Sequence, residues 1–206
     1  MQEINLLPPE IINEIAAGEV IERPVAVVKE LIESSIDAKA SKITIRIEAG
    51  GISKIVVSDN GIGIERKYIE TSVGRHTTSK LNMRTLNNII TLGFRGEALH
   101  SISNASEFTM ISRTKDSTEA YELKVIFGKP FSIKPSKGNV GTFIKVENIF
   151  RNLPVRKKFL KSEHSESLAI RNFIKKISLA YPHISFILVE DKKPKLELAG
   201  RISNEK

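Results

Sequence analysis

The sequence predicts an α+β fold: one sheet, mostly antiparallel, with helices on one face. Three observations carry that prediction. Helical and strand-like segments come in blocks (helices, strands, helices, strands) rather than in the regular alternation that builds a parallel sheet. The strand-like segments are short, alternate apolar with polar residues, and are joined by turns rich in Gly, Pro, Ser and Lys. The chain of 206 residues, 40% hydrophobic and 27% charged, is long enough to bury a substantial core as one large domain, or as one domain with a small appendage.

In chain order, Pro8 and Pro9 open a short helical pattern, "PPEIINEIAAGEV". Pro24 opens a second helix running from Val25 to at least Ile36. In "SKITIRIEAGG", Ile43, Ile45 and Ile47 alternate with Thr44, Arg46 and Glu48, a half-buried strand closed by a Gly-Gly turn. "SKIVVSDNGIGI" is a second strand ending in a glycine-rich turn, and the two read as a hairpin. Residues 65–92 mix short helical patterns around a polar loop, "GRHTTSK". "FRGEALHSIS" reads as a helix starting near Gly96. "SEFTMISRT", "EAYELKVIFG", "FSIKPS" and "GTFIKVENIF" read as strands, "PVRKKFL" and "SESLAIRNFIKKISLAY" as helices, and "ISFILVED" and "KLELAG" as a closing hairpin across "DKKP". The tail "RISNEK" reads as a cut end.

Composition removes several classes. With no cysteine, disulfides and thiolate metal sites are excluded. The N-terminus lacks the basic start and apolar run of a secretory signal, and no apolar run is long enough to span a bilayer, so a cytoplasmic protein without membrane contact is the expectation. The formal net charge of +8 fits either a solvated lysine-rich surface or contact with phosphate. Nothing resembles a basic reading helix or a zinc finger. Aromatics make up 6% of the chain with no tryptophan, which argues against base stacking on a sheet face.

Four stretches carry chemistry. In "SDNGIGI", Asp59 ends a strand, with Gly61 and Gly63 two and four residues on. A carboxylate there can accept from an amino group such as that of adenine, while Asp-Asn-Gly is equally ordinary turn chemistry. "GRHTTSK" resembles a phosphate-binding loop but fails the Walker spacing, which needs glycine directly before lysine. It reads as a flexible phosphate cover or as a solvated loop. In "LGFRGEAL", Gly93 and Gly96 precede a helix whose backbone N–H groups suit an anion, or simply end a loop. On the helix "VVKELIESSIDA", Glu30, Ser34 and Asp37 share one stripe at about 3.6 residues per turn. That stripe is a general base with metal-holding neighbours, or a solvated face. Val28, Leu31 and Ile32 turn away from it to anchor the helix. His76 and His100 lack partners at metal-ligand spacing and read as structural or exposed.

Taken in order, "AAGEVIERPVAVVKELIESSIDA", "VSDNGIGI", "GRHTTSK", "LGFRGEALHSIS", "GNVGTFIKV" and "FRNLPVRKKFL" closely resemble the N-terminal ATPase domain of the MutL mismatch-repair family. That family is a branch of the GHKL superfamily, shared with DNA gyrase B subunits, a class of heat-shock chaperones and histidine kinases. The resemblance covers almost the whole chain. It implies a two-layer α/β sandwich holding ATP between helices and a mobile lid. It makes residues 1–206 one GHKL-type ATPase domain, with a second domain and a C-terminal dimerisation domain lying outside.

Carried onto these residues, the resemblance implies that Asp59 binds the adenine amino group, with Gly61 and Gly63 on the adenine side and Thr142 supporting the pocket. His76, Thr77, Thr78, Ser79 and Lys80 belong to the lid. Gly93, Phe94, Arg95, Gly96, Glu97, Ala98 and Leu99 wrap the phosphates. Glu30 is the general base, and Asp37 belongs to the nucleotide-facing set. Ser34 stands where the family has an asparagine ligand to Mg²⁺, a departure that bears on hydrolysis. Implied partners are DNA (weakly, through the basic surface), a MutS-type mismatch sensor, a downstream nuclease or helicase, and a second N-terminal domain on ATP binding. The alternatives are an ATP-binding switch with impaired hydrolysis, another superfamily branch, and a DNA-binding module without ATPase activity.

Overall fold

The computed structural model describes residue 8 and residues 21–78, 80, 91–93 and 95–201. The helical pattern after Pro8, the lid residue Ser79, Phe94 and the tail 202–206 lie outside the described residues.

Helix α1 is Pro24–Asp37. Pro24 sits in its first turn, where a missing N–H costs nothing. Its inner face, which includes Val27, Val28, Leu31, Ile32 and Ile36, is buried. Full burial of an aliphatic side chain of this size stabilises by roughly 1.5–3 kcal/mol. The helix ends where the Ala38 N–H caps the Ser34 carbonyl and Lys39 turns the chain at φ 61°.

Strands β1 (Lys42–Glu48) and β2 (Lys54–Asp59) form the predicted hairpin across a 3₁₀ turn at Ala49–Gly51. Ile43, Ile45 and Ile47 are buried and Arg46 exposed, as period-two alternation requires. The short helix α2 (Arg66–Ile69) and a 3₁₀ turn (Thr71–Val73) come before α3 (Ala98–Asn104). Helix α3 begins two residues later than predicted, because Gly96 takes a left-handed φ of 65° and Glu97 is not helical.

Strands β3 (Glu107–Arg113), β4 (Ala120–Ile126), β5 (Lys129–Ser136) and β6 (Gly141–Glu147) follow, then α4 (Pro154–Lys158), α5 (Glu163–Ala180), β7 (Ser185–Glu190) and β8 (Lys193–Leu198). The eight strands make one sheet in the order β5-β4-β3-β6-β2-β1-β7-β8. Every neighbouring pair is antiparallel except β1 with β7, which brings Ile43 beside Phe186 and Ile45 beside Leu188.

The core is a layer between one sheet face and the helices, with Phe108, Met110, Leu123 and Phe186 meeting Ile102, Ile170 and Ile174. The outer strands β5 and β8 hold three of the eight prolines, Pro130, Pro135 and Pro194, and are rich in lysine.

The start of α1 is tied to α5 by a buried ion pair. Arg23 Nη2 and Nε lie 2.9 and 3.0 Å from Glu166 Oε2, and the Lys161 N–H donates to Glu166 Oε1 at 3.1 Å. The Glu166 side chain is 1% exposed, so this satisfied geometry offsets a desolvation cost of several kcal/mol per ion.

Candidate functional site

The predicted residues gather around the C-terminal half of α1, in two clusters. The first is built on Asp59, at the end of β2. Its Oδ1 accepts from the Gly61 N–H at 2.8 Å and from the Thr142 N–H at 3.2 Å. Its Oδ2 lies 2.9 Å from Ser35 Oγ. Ser35 Oγ is also 3.0 Å from the Leu31 carbonyl, but one hydroxyl proton serves one acceptor, and the charged carboxylate is the stronger.

Burial raises the Asp59 carboxyl above the usual aspartate range, opposed by the donors from Gly61, Ser35 and Thr142. Ser112, on β3, braces the same corner. Its Oγ lies 2.9 Å from Thr142 Oγ1, donates to the Gly141 carbonyl at 3.0 Å and accepts from the Ile64 N–H at 2.8 Å. Gly63 is required at its position: it sits at φ 73°, and a Cβ there would collide with the Arg113 carbonyl. The turn is fastened to α1 by the Ile62 N–H, which donates to the Ala38 carbonyl at 2.9 Å.

The second cluster is built on Asp37. Its carboxylate accepts from Lys80 Nζ at 2.5 Å and from the N–H groups of Leu92 and Gly93, each at 3.1 Å. Its side chain is 8% exposed. The stripe reading placed Asp37 toward a ligand; the structure has both its oxygens engaged by the lid lysine and the start of the phosphate loop.

The other two residues of the stripe stand apart from these bonds. Glu30 and Ser34 are half-buried, and their side chains make no hydrogen bond among the described residues. Glu33 lies beside them with its carboxyl raised, first by burial and then by Glu30 and Asp37; Lys29, 3.9 Å away, opposes the shift most, and Lys80 opposes it further.

Segments 75–78 and 95–99, which the sequence reading assigns to a lid and a phosphate loop, touch each other. Glu97 Oε1 is 3.2 Å from His76 Nδ1 and 3.8 Å from Arg75 Nε. The Thr77 hydroxyl stays within its own segment, donating to the Thr71 carbonyl at 2.7 Å with the Gly74 carbonyl 2.9 Å away, and Thr78 Oγ1 accepts from the Lys80 N–H. Gly96 packs on the Thr77 backbone, Ala98 and Leu99 form the first turn of α3, and Arg95 is exposed.

Ser35, Ser112 and Asn60 were not singled out from the sequence. Asn60 Oδ1 accepts from the N–H groups of Ser41 and Lys42, which starts β1. Only its place in the Asp-Asn-Gly turn hinted at this. A hollow of about 280 Å³ lined by Glu22, Arg23, Arg156, Phe159, Lys161 and Glu166 lies beside the buried ion pair instead, and shares no residue with the predicted set. Convergent polar groups, rather than that hollow, mark the candidate site. Among the described residues there is no cluster of three or more metal-ligating side chains, and no helix long and apolar enough to cross a membrane.

Residues 22–130, more than half of the chain, match the family described as "Histidine kinase-, DNA gyrase B-, and HSP90-like ATPase". The chain belongs to this ATPase family. Within it, the chain is 46% identical over 198 residues to a DNA mismatch repair protein MutL of Rickettsia bellii (strain OSU 85-389), covering 96% of this chain and 32% of that protein. It is 48% identical over 198 residues to the MutL of Rickettsia prowazekii, covering 96% and 33%. The chain thus spans about a third of the length of these curated relatives.

Among solved structures, the Aquifex aeolicus MutL ATPase domain complexed with ADP aligns with a TM-score of 0.75 at 36% identity, over 89% of this chain and 66% of that one. The N-terminal domain of a DNA repair protein aligns with a TM-score of 0.76 at 31% identity, over 95% and 57%. The α+β fold, with its mixed sheet and helices, is therefore that of the MutL ATPase domains.

Proposed function

We propose that this chain binds ATP with Mg²⁺ and hydrolyses it, and that within a longer protein it serves DNA mismatch repair. The observation that carries the reading is the occupancy of the Asp59 carboxylate. A carboxylate offers about four lone-pair sites. Two backbone N–H groups fill Oδ1 and the Ser35 hydroxyl takes one site on Oδ2, which leaves one acceptor site. That site fits the N6 amino group of adenine, and the buried charge strengthens the bond.

Glu30 is the general base in this reading. Its carboxylate, unengaged by any described residue, takes the proton of the water that attacks the γ-phosphate. The donor set also fits a hard cation: Ser34 Oγ is an oxygen unengaged by any described residue, four residues from Glu30, and Mg²⁺ prefers oxygen ligands. Ser34 would hold the ion, directly or through a water. Mg²⁺, when bound, supplies charge neutralisation on the phosphate oxygens. Lys80 and the N–H groups of residues 93–99 take the phosphates, Lys80 leaving Asp37 to do so.

In the longer protein, ATP-dependent closure and pairing of two such domains would govern contacts with DNA, a MutS-type sensor and a downstream nuclease or helicase, in the cytoplasm. The names of the MutL relatives and the basic charge of +8 support this part.

The test is paired calorimetry with Mg²⁺-ATP and phosphate release, on this chain and on Ser34→Asn. Micromolar-to-millimolar binding with slow release supports the reading; absence of ATP binding overturns it. Ser34 also favours a second reading, an ATP-binding switch with impaired hydrolysis. Tight binding without release, restored by Ser34→Asn, would select it.

A further inference from the structure

We propose that His100 is a positioning residue that fastens the base of the lid, at Val73, to the helix starting at the phosphate loop. Its anchoring role stands on geometry; its effect on nucleotide rests on the ATP-binding reading above.

His100 is the third residue of α3. Its Nδ1 lies 3.1 Å from the Val73 carbonyl oxygen. A carbonyl only accepts, so Nδ1 carries the proton. On the other side of the ring, Nε2 lies 3.2 Å from Asn104 Nδ2. That amide nitrogen also donates to the His100 carbonyl at 2.8 Å, which fixes the amide's orientation. Its oxygen faces Gly128, where a Cβ would collide with it. Asn104 Nδ2 therefore spends one hydrogen on the His100 backbone and the other on Nε2. The ring is held as the neutral tautomer with hydrogen on Nδ1.

The clamp is braced from behind. The Asn104 carbonyl accepts from Asn152 Nδ2 at 3.1 Å, and the Gly128 N–H donates to the Ser103 carbonyl at 2.9 Å. Asn152 belongs to the "RNLP" turn, which the ATP reading leaves without a role. A line of hydrogen bonds thus runs from that turn through α3 to Val73, the residue before Gly74, where the lid segment starts.

Two further contacts join the same segments. Gly96, at φ 65°, packs so closely on Thr77 that a Cβ would sit 2.6 Å from the Thr77 carbonyl oxygen. His76 pairs with Glu97, but its side chain is 67% exposed, and such a pair contributes little. The His100 bond is the directional one, and it lies one residue beyond Ala98 and Leu99. Through His100, the position of Val73 is set relative to that first helical turn.

The experiment is amide hydrogen exchange on the nucleotide-free chain, with His100→Leu and His100→Asn. The asparagine amide nitrogen falls near the position of Nδ1 and keeps a donor for Val73. Exchange over residues 74–78 is expected to rise about tenfold in His100→Leu and to stay within about twofold in His100→Asn, one hydrogen bond being at stake. ATP affinity is expected to fall about tenfold in the leucine variant and to be restored by asparagine.

Unchanged exchange in His100→Leu, or no restoration by asparagine, overturns the proposal. ¹⁵N spectra of the unsubstituted protein give a check that needs no variant: the Nδ1–H tautomer supports the clamp and the Nε2–H tautomer overturns it. If the chain binds no nucleotide, the ATP reading fails, while exchange and tautomer still decide the anchor.

Discussion

Two carboxylates on neighbouring elements, Asp59 and Asp37, each receive three hydrogen bonds, yet they are held in different ways. The donors to Asp59 come from α1, from the turn after β2 and from β6, all tied into the core sheet. Those to Asp37 come from Lys80, Leu92 and Gly93, on loop backbone and one long side chain. Asp59 is thus preorganised: its geometry is fixed by the fold, and on the proposed reading its remaining lone pair receives the base. Asp37 is a releasable tie, because an ammonium on a flexible stem exchanges partners readily. On the proposed ATP reading, the first region would specify the base and the second would couple the phosphates to movement.

Breaking the fixed member should have the largest effect. Asp59→Asn presents an amide N–H₂ where an acceptor is needed, and ATP affinity should fall about 100-fold, as expected for a buried mismatched donor. The same change should raise the melting temperature by about 2–4 °C. The sign follows from burial. The folded-state pKa of Asp59 is raised, so between its unfolded and folded values the folded chain holds more protons, and stability falls as pH rises through that window. Removing the titrating group removes that loss at neutral pH. A variant that loses both ATP and stability would show that Asp59 is a structural brace only.

Breaking the releasable member should cost less. Asp37→Asn keeps an acceptor oxygen for one of the two backbone N–H groups and loses the counter-charge of Lys80. ATP affinity should fall about tenfold, limited proteolysis between Lys80 and Arg95 should accelerate, and the melting temperature should move by less than about 2 °C. Unchanged proteolysis would remove Asp37 from lid control.

A pH titration of ATP binding sharpens the contrast. Affinity should weaken as pH falls through the raised titration of Asp59, above the ordinary aspartate range, and calorimetry across a pH series reads this directly. A flat profile would break the acceptor argument. The smallest effect is expected for Ser34→Asn, a gain of about twofold to fivefold in phosphate release at unchanged ATP affinity, since one metal ligand is being improved while the phosphates supply the others.

Much of the sheet was legible because its signal is local. Ile43, Ile45 and Ile47 announce one strand face with no knowledge of what covers it, and Pro24 announces the start of α1. Order along the chain made Glu30, Asp59, Gly61, Gly63 and Thr142 readable as a set. Pairings across long separations were hidden. The parallel union of β1 with β7 joins residues some 140 positions apart and leaves no local trace. The serines show the same limit. Helical spacing selects Ser34, on the stripe with Glu30; its neighbour Ser35 points about 100° away, toward the sheet, and holds Asp59. Asp37 was placed by its spacing on the stripe with Glu30, but its partners, Lys80, Leu92 and Gly93, come from loops whose path no periodicity encodes.

The edges of the sheet have a consequence for the domain as a material. Strands β5 and β8 interrupt their open hydrogen-bonding rims with Pro130, Pro135 and Pro194 and line them with Lys129, Lys134, Lys193 and Lys195. A rim with missing donors and repeated positive charge resists growth of sheet onto sheet. Concentrated solutions should therefore stay clear of fibrils, since neither rim offers a second copy an unbroken row of donors.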